Sequence, residues 1–127
     1  MISFEHFTPV DGTPIYKQII YFIKRGAVAG TIADGDELPS RRVLSALLGI
    51  NPNTVQKAFS MLEDENLIES RSGAKSFMTL DEEKLERLRV DLLTEDIRSI
   101  TRSLKQMAIT KEEAIDLINK YWDEDES

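Results

Sequence analysis

Asn53, Thr54, Gln56 and Lys57 fall within one short stretch, and each carries a side chain suited to the edges of base pairs. Asparagine and glutamine amides pair in bidentate fashion with adenine, threonine meets a thymine methyl or a phosphate, and a lysine ammonium reaches guanine or phosphate. On the first turns of a helix they would share that end with unpaired backbone N–H groups and a partial positive charge, which favour a phosphate. The same four residues also suit the solvated face of any amphipathic helix, so the choice rests on the elements around them.

Those elements punctuate the chain closely. Leu38-Pro39-Ser40 extends it and offers Ser40 as N-cap for a helix from Arg41 to Leu48, with Leu44, Leu47 and Leu48 facing inward. Gly49 suits a left-handed stop, and Asn51-Pro52 starts the next helix with a side-chain cap and a proline at its first position. That helix runs from Pro52 to about Glu65 and buries Val55, Ala58, Phe59 and Leu62 at helical spacing. Two helices across so short a turn are what a helix-turn-helix needs, the first bracing the second in the major groove. Asn66 tolerates the left-handed conformation, and Leu67 to Ser70 and Ser76 to Thr79 read as strands around a tip from Arg71 to Lys75. Such a hairpin is a wing candidate, in which Arg71, Gly73 and Lys75 suit a minor groove; an ordinary basic hairpin tip is the alternative.

Upstream, a helix opens at Thr13-Pro14, with Thr13 as the capping hydroxyl, and runs to about Ala29 before Gly30. Ile15, Ile19, Phe22, Ile23 and Ala27 form its buried stripe, and Tyr16 is expected against the core rather than on DNA. Asp34-Gly35-Asp36 reads as a turn.

Charge and composition exclude other chemistries. The 127 residues contain no cysteine, which removes disulfides, thiolate zinc sites and cysteine nucleophiles. His6, the only histidine, precedes the first helix, no glycine-rich phosphate loop exists, and the carboxylates fall on solvated helix faces or in Asp123-Glu124-Asp125-Glu126. No catalytic residue, metal ligand or cofactor is expected. No apolar run approaches the ~20 residues that cross a bilayer, and the N-terminus lacks a signal-peptide pattern, so a cytoplasmic protein without a membrane partner is expected. The net charge of −7 opposes DNA binding as a total but not in its distribution. Residues 1–80 carry eight Lys and Arg against nine Asp and Glu, whereas residues 81–127 carry eight against fourteen. Arg41, Arg42, Lys57, Arg71 and Lys75 lie in the motif region, with Glu63, Asp64 and Glu65 gathered at the end of one helix.

Taken together, Pro14-Ile15-Tyr16-Lys17-Gln18-Ile19, Leu38-Pro39-Ser40-Arg41-Arg42-Val43-Leu44, Leu48-Gly49-Ile50-Asn51-Pro52-Asn53-Thr54-Val55 and Leu62-Glu63-Asp64-Glu65-Asn66-Leu67-Ile68 resemble the GntR family of bacterial transcription regulators. The resemblance spans roughly residues 10 to 80. It implies that Arg42 is a principal DNA contact, that Asn51, Asn53, Thr54, Gln56 and Lys57 sit at or near recognition-helix contacts, and that Ser72 and Gly73 form the wing tip. With Ser40, Arg41, Arg71 and Lys75 these make up the candidate DNA-facing set. Asn66 and Lys75 stand where the family commonly has glycine.

After the wing only about 47 residues remain, which excludes the large effector domains of most branches and resembles the YtrA-type branch in size. From Asp81 a long helix carries Val90, Leu93, Ile97, Ile100, Leu104 and Met107 at alternating spacings of three and four, the pattern of a helix–helix seam. Thr110 and Glu113 form a capping box for a last helix bearing Ala114, Ile115, Leu117, Ile118, Tyr121 and Trp122. Ile118 and Trp122 are expected to join the seam in a dimer interface; packing onto the same chain's DNA-binding domain is the alternative.

The expected architecture is mainly α with a small β-hairpin. Residues 1–80 are a winged helix-turn-helix, 81–122 a two-helix dimerisation region, and 123–127 an acidic disordered tail. The expected function is a homodimer reading a pseudo-palindromic double-stranded operator. The resemblance implies a repressor, often of its own operon and of neighbouring ABC-transporter genes, with its small-molecule effector unassigned. A winged-helix protein–protein adaptor without specific DNA binding is the alternative.

Overall fold

A computed structural model describes residues 1–71, 73 and 75–124. Ser72 and the last three residues of the acidic tail therefore lie outside the described residues. In chain order the elements are α1 (Ile15–Ala29), β1 (Glu37–Leu38), α2 (Arg41–Leu48), α3 (Pro52–Asp64), β2 (Ile68–Ser70), β3 (Ser76–Met78), α4 (Glu82–Gln106) and α5 (Lys111–Tyr121). The chain divides into two compact units, residues 1–89 and 90–127.

In the first unit, α1 buries Ile19, Ile20, Ile23 and Ala27, while Ile15 and Phe22 lie at the margin of the stripe. The helix ends at Gly30 with φ 85°, a left-handed stop that costs a residue without Cβ little. Its start differs from the sequence expectation. Pro14 is the N-cap, and no side chain caps it. The Gln18 amide reaches back instead, donating to the Val10 and Thr13 carbonyls at 2.9 and 2.8 Å and accepting from the Val10 N–H at 2.9 Å. A long amide inside the helix thus ties down the preceding segment, the work assigned to the Thr13 hydroxyl.

The helix-turn-helix follows its local signals. Ser40 Oγ accepts from the Val43 N–H at 3.1 Å, Gly49 adopts φ 65°, and Asn51 Oδ1 accepts from the Asn53 N–H at 2.8 Å ahead of Pro52. Val55, Ala58, Phe59 and Leu62 face α1 and the sheet from α3, as their spacing requires. Leu44 is fully buried and Leu48 half-buried, but Leu47 is 68% exposed. The inward direction of α2 runs through Leu44, Leu48 and Ser45, and Leu47 points roughly a hundred degrees away from it. Ser45 takes the inward place and donates its hydroxyl to the Ile50 carbonyl, which fastens the turn. Asn51→Ala is expected to lower stability by about 1 kcal/mol, because the first N–H groups of α3 lose their cap. Urea denaturation monitored by circular dichroism checks this.

A three-stranded antiparallel sheet has the order β1-β3-β2, with Leu38 opposite Ser76 and Ser70 opposite Ser76 on the other side. The expected hairpin is β2–β3, each strand one residue shorter than read. The third strand, β1, was read only as an extended lead into Ser40. Asn66 adopts φ 60° and turns the chain from α3 into β2. The N-terminal segment also enters the core, which no periodicity signalled: Ile2 and Phe4 are buried. The Ile2 N–H donates to the Glu37 carbonyl at 2.7 Å, and the Phe4 and Phe7 rings meet Phe22 with centroids 4.9 and 5.4 Å away. Leu85 and Leu88, at the start of α4, complete this unit's hydrophobic cluster.

In the second unit α4 continues to Gln106, the chain turns through Ala108 at φ 56°, and α5 begins at Thr110. The capping box forms in a modified version: the Glu113 N–H donates to Thr110 Oγ1 at 3.2 Å, while that hydroxyl donates to the Glu113 carboxylate. Trp122 lies just past α5 and is 78% exposed.

Candidate nucleic-acid interface

The N-terminal turns of α3 present Asn53, Gln56 and Lys57 on the exposed side, with Thr54 half-buried between them. Val55 and Ala58, alternating with these residues, are fully buried and fix which side of the helix faces outward. The Asn51 side-chain oxygen accepts the cap bond, and its NH2 group keeps two donors for another group. Gln56 donates to Ser60 Oγ at 3.0 Å, one turn further on. That exposed bond is weak enough to exchange for a base edge.

The motif cations divide by what already holds them. Arg42, at the start of α2, is exposed and makes no hydrogen bond or ion pair among the described residues. Lys75, beyond the wing tip, is exposed, and its ammonium is likewise unpaired among them. Arg41 is half-buried with its guanidinium carbon 5.5 Å from the Phe59 ring centre, and its Nε is enclosed without a hydrogen-bond partner among the described residues. Lys57 Nζ stands 4.1 Å from the centre of the Tyr16 ring. Arg71 is the most engaged. Its guanidinium pairs with Glu69 at 2.9 Å and lies 4.4 Å from the Phe77 ring centre.

The wing is closed at its base by the Arg71 N–H donating to the Lys75 carbonyl at 2.9 Å, and Gly73 at its tip has φ 78°. A residue with a Cβ would be strained there. Ser72, assigned to the same tip, lies outside the described residues. Glu63 is also occupied, accepting from Ser70 Oγ at 3.1 Å, and Glu65 pairs with Lys24 at 2.9 Å. Two of the three carboxylates at the end of α3 are therefore tied to neighbours on the same unit.

Sequence reasoning named the cations but not their supports: Tyr16 beneath Lys57, Phe59 beside Arg41, and Glu69 with Phe77 around Arg71. Only the last had a local signal, because Glu69 and Arg71 are two apart at a strand end and share one face. Neutralising Glu69 removes an exposed counter-ion worth about 0.2–1 kcal/mol. Glu69→Gln is accordingly expected to tighten DNA binding by up to roughly fivefold. The gain is expected to vanish when Arg71→Ala is also present, which anisotropy titrations of the single and double variants read directly.

The expected dimer-seam residues lie in the second unit. Val90, Leu93, Ile97, Ile100, Met107, Ile118 and Trp122 are all exposed in the single chain, and Leu104 is half-buried. Leu85, Leu88 and Leu92 form a separate stripe on α4 outside the expected seam, and Leu88 and Leu92 are buried. Among the described residues no cluster of side chains is suited to hold a metal ion, and no helix is long and apolar enough to cross a membrane.

A short helix pair, the second capped by Asn51-Pro52 and polar on its outer face, with a β-hairpin directly behind it, defines a winged helix-turn-helix. Residues 15–77 match the family described as bacterial regulatory proteins, gntR family. The HTH-type transcriptional repressor YtrA of Bacillus subtilis (strain 168) is 37% identical over 101 residues, which cover 80% of this chain and 73% of YtrA. The uncharacterized HTH-type transcriptional regulator YhcF of the same organism is 32% identical over 108 residues, 85% of this chain and 89% of YhcF. Among solved structures, a GntR family transcriptional regulator from Listeria monocytogenes is similar with a TM-score of 0.77 and 33% identity, covering 88% of this chain and 98% of that one. The chain belongs to the GntR family of transcription regulators and is of the YtrA type. It carries the family's DNA-binding helix-turn-helix, and its relatives are regulators rather than enzymes.

Proposed function

We propose that the protein is a cytoplasmic repressor that binds a pseudo-palindromic operator as a homodimer, upstream of its own operon and of neighbouring ABC-transporter genes. The observation that carries this reading is the exposed Arg42 side chain, unpaired among the described residues, on the helix that leads into the exposed polar start of α3. The α3 residues Asn53, Thr54, Gln56 and Lys57 read base edges, with Asn51 at the mouth of the helix. Ser40 and Arg41 hold the phosphate backbone, Arg42 is a principal contact to a guanine edge or a phosphate, and Arg71, Ser72, Gly73 and Lys75 follow the adjacent minor groove. The similar YtrA of Bacillus subtilis is a transcriptional repressor, which supports the direction of regulation.

Dimerisation through residues 81–122 is supported by the apolar side chains that α4 and α5 leave in water. Exposed hydrophobic residues so closely grouped are unfavourable in a monomer, and a second copy is a partner always present at equal concentration. Two-fold symmetry then places the reading helices on half-sites about one helical turn, ~34 Å, apart. The acidic run Asp123-Glu124-Asp125-Glu126 opposes non-specific approach to phosphates. Relief of repression requires a ligand that binds one dimer geometry better than the other.

Hydroxyl-radical footprinting on a duplex from upstream of the protein's own gene tests this reading. Two protected patches related by a two-fold axis, one turn apart on the same side of the duplex, are expected. A single asymmetric patch at saturating protein would contradict it.

A further inference from the structure

Lys57 sits on the exposed side of α3, yet its ammonium is not free in solvent: it stands over the face of Tyr16 with Nζ 4.1 Å from the ring centre. Tyr16 comes from α1, is half-buried, and packs against a cluster that includes the fully buried Ile19 and Ile23 one and two turns further along the same helix. The ring is therefore held by the core, while its outer face carries a cation. A ring face attracts an ammonium electrostatically and leaves the N–H donors that point away from the ring available to a phosphate or a guanine.

From this arrangement we infer that Tyr16 is a positioning residue for DNA reading, which fixes the Lys57 ammonium in the orientation it uses on the duplex. A lysine on a helix surface samples many rotamers, and ordering it on binding costs free energy. The ring removes much of that cost beforehand by confining the side chain in the free protein, and preorganisation of this kind raises affinity without adding a contact. Tyr16 thus links α1 to the register of the reading helix. The inference rests on the operator reading above.

The test uses the full chain and a short labelled duplex selected by the wild-type protein from a random-sequence pool, titrated by fluorescence anisotropy. Selection of a defined sequence by the wild-type protein establishes the reader independently of Tyr16. Tyr16→Leu, which removes the ring face, is expected to weaken binding roughly three- to tenfold, in line with the strength of a partly desolvated cation–π contact. Tyr16→Phe, which keeps the face and loses only the hydroxyl, is expected to bind as the wild type does. In a Lys57→Gln background the Tyr16→Leu loss is expected to disappear, because there is no ammonium left to position. Far-UV circular dichroism of each variant confirms the fold, and Tyr16→Met replaces Tyr16→Leu if that variant does not fold. Three results would overturn the inference: no loss on removing the ring, an equal loss in Tyr16→Phe, which would mean the phenol itself touches DNA, or an undiminished loss in the Lys57→Gln background, which would mean the ring only supports the core.

Discussion

Ile100→Asp is expected to turn the protein into a folded monomer that no longer holds a full operator. Ile100 is 50% exposed in the single chain, in a row with the exposed Leu93 and Ile97. The proposed dimer removes that row from water. Covering the exposed half of the isoleucine contributes about 0.8–1.5 kcal/mol per chain, and two-fold symmetry makes each substitution count twice. A carboxylate in its place adds the cost of an unpaired charge in an apolar seam. The dimer dissociation constant should therefore rise by at least about a hundredfold, a factor corresponding to ~2.7 kcal/mol. Operator binding falls with it, since a lone half-site reader forfeits the avidity of the linked pair, which is roughly 10²–10⁴. The first unit should keep its stability, because its core is built from residues 2–88 and contains none of the seam. Sedimentation equilibrium reads the mass and thermal melting reads the fold. A dimeric Ile100→Asp that binds a full operator with wild-type affinity would exclude Ile100 from the interface.

Arg42→Ala has the second large effect, and its character is different. The side chain is exposed and makes no bond among the described residues, so its loss removes nothing from the folded state. Surface substitutions of this kind usually stay within ±0.5 kcal/mol in stability. On DNA the same freedom makes Arg42 the least encumbered arginine of the reading unit, able to form a bidentate pair worth about 1–3 kcal/mol with a guanine, or a phosphate contact. A five- to hundredfold loss of affinity is expected on that basis, at unchanged melting temperature (roughly, from the same range). A phosphate role predicts uniform weakening across sequences and a salt slope reduced by about one, whereas a guanine role predicts relaxed specificity at one position. Arg41→Ala supplies the contrast. Its guanidinium is half-buried beside Phe59, so part of its cost should appear as lost stability in the absence of DNA.

The reading unit was legible wherever the cause of structure is local. Ser40, Gly49, Asn51 and Pro52 each act within four residues of their own position, and the ends of α2 and the start of α3 fall where those residues put them. Long-range causes were not legible. The Thr13 cap gave way to Gln18, whose amide gains three bonds by folding back. Leu47 is expected inward with Leu44 and Leu48 but is exposed, because in an eight-residue helix the direction of the core is set by the elements packed against it. The strand β1 is two residues long and borders a proline, so it carries no alternation to detect. Ile2 and Phe4 lie in a segment without period, and only their partners Glu37 and Phe22 reveal that they belong to the core. The interface shows the same division. The identity of its cations follows from a motif, but their engagement with Tyr16, Phe59, Phe77 and Glu69 depends on which helices and strands meet.

That engagement also explains how a chain of net charge −7 can serve as a DNA reader. Glu63, Glu65 and Glu69 each meet a neighbour on their own unit, which lowers the repulsion they would exert on phosphates. Arg42 and Lys75 stay unpaired among the described residues, and Lys57 is held by an uncharged ring rather than by a carboxylate. A small number of available cations implies a shallow salt dependence, with specificity carried more by base edges than by charge.

Fluorescence anisotropy of the purified protein with a labelled duplex from upstream of its own gene, against a scrambled duplex of equal length over a salt series, tests sequence-specific operator binding most directly. Selective binding to the upstream duplex, weakening as salt rises, is the expected result. Equal and feeble binding to both duplexes at every salt concentration would contradict it.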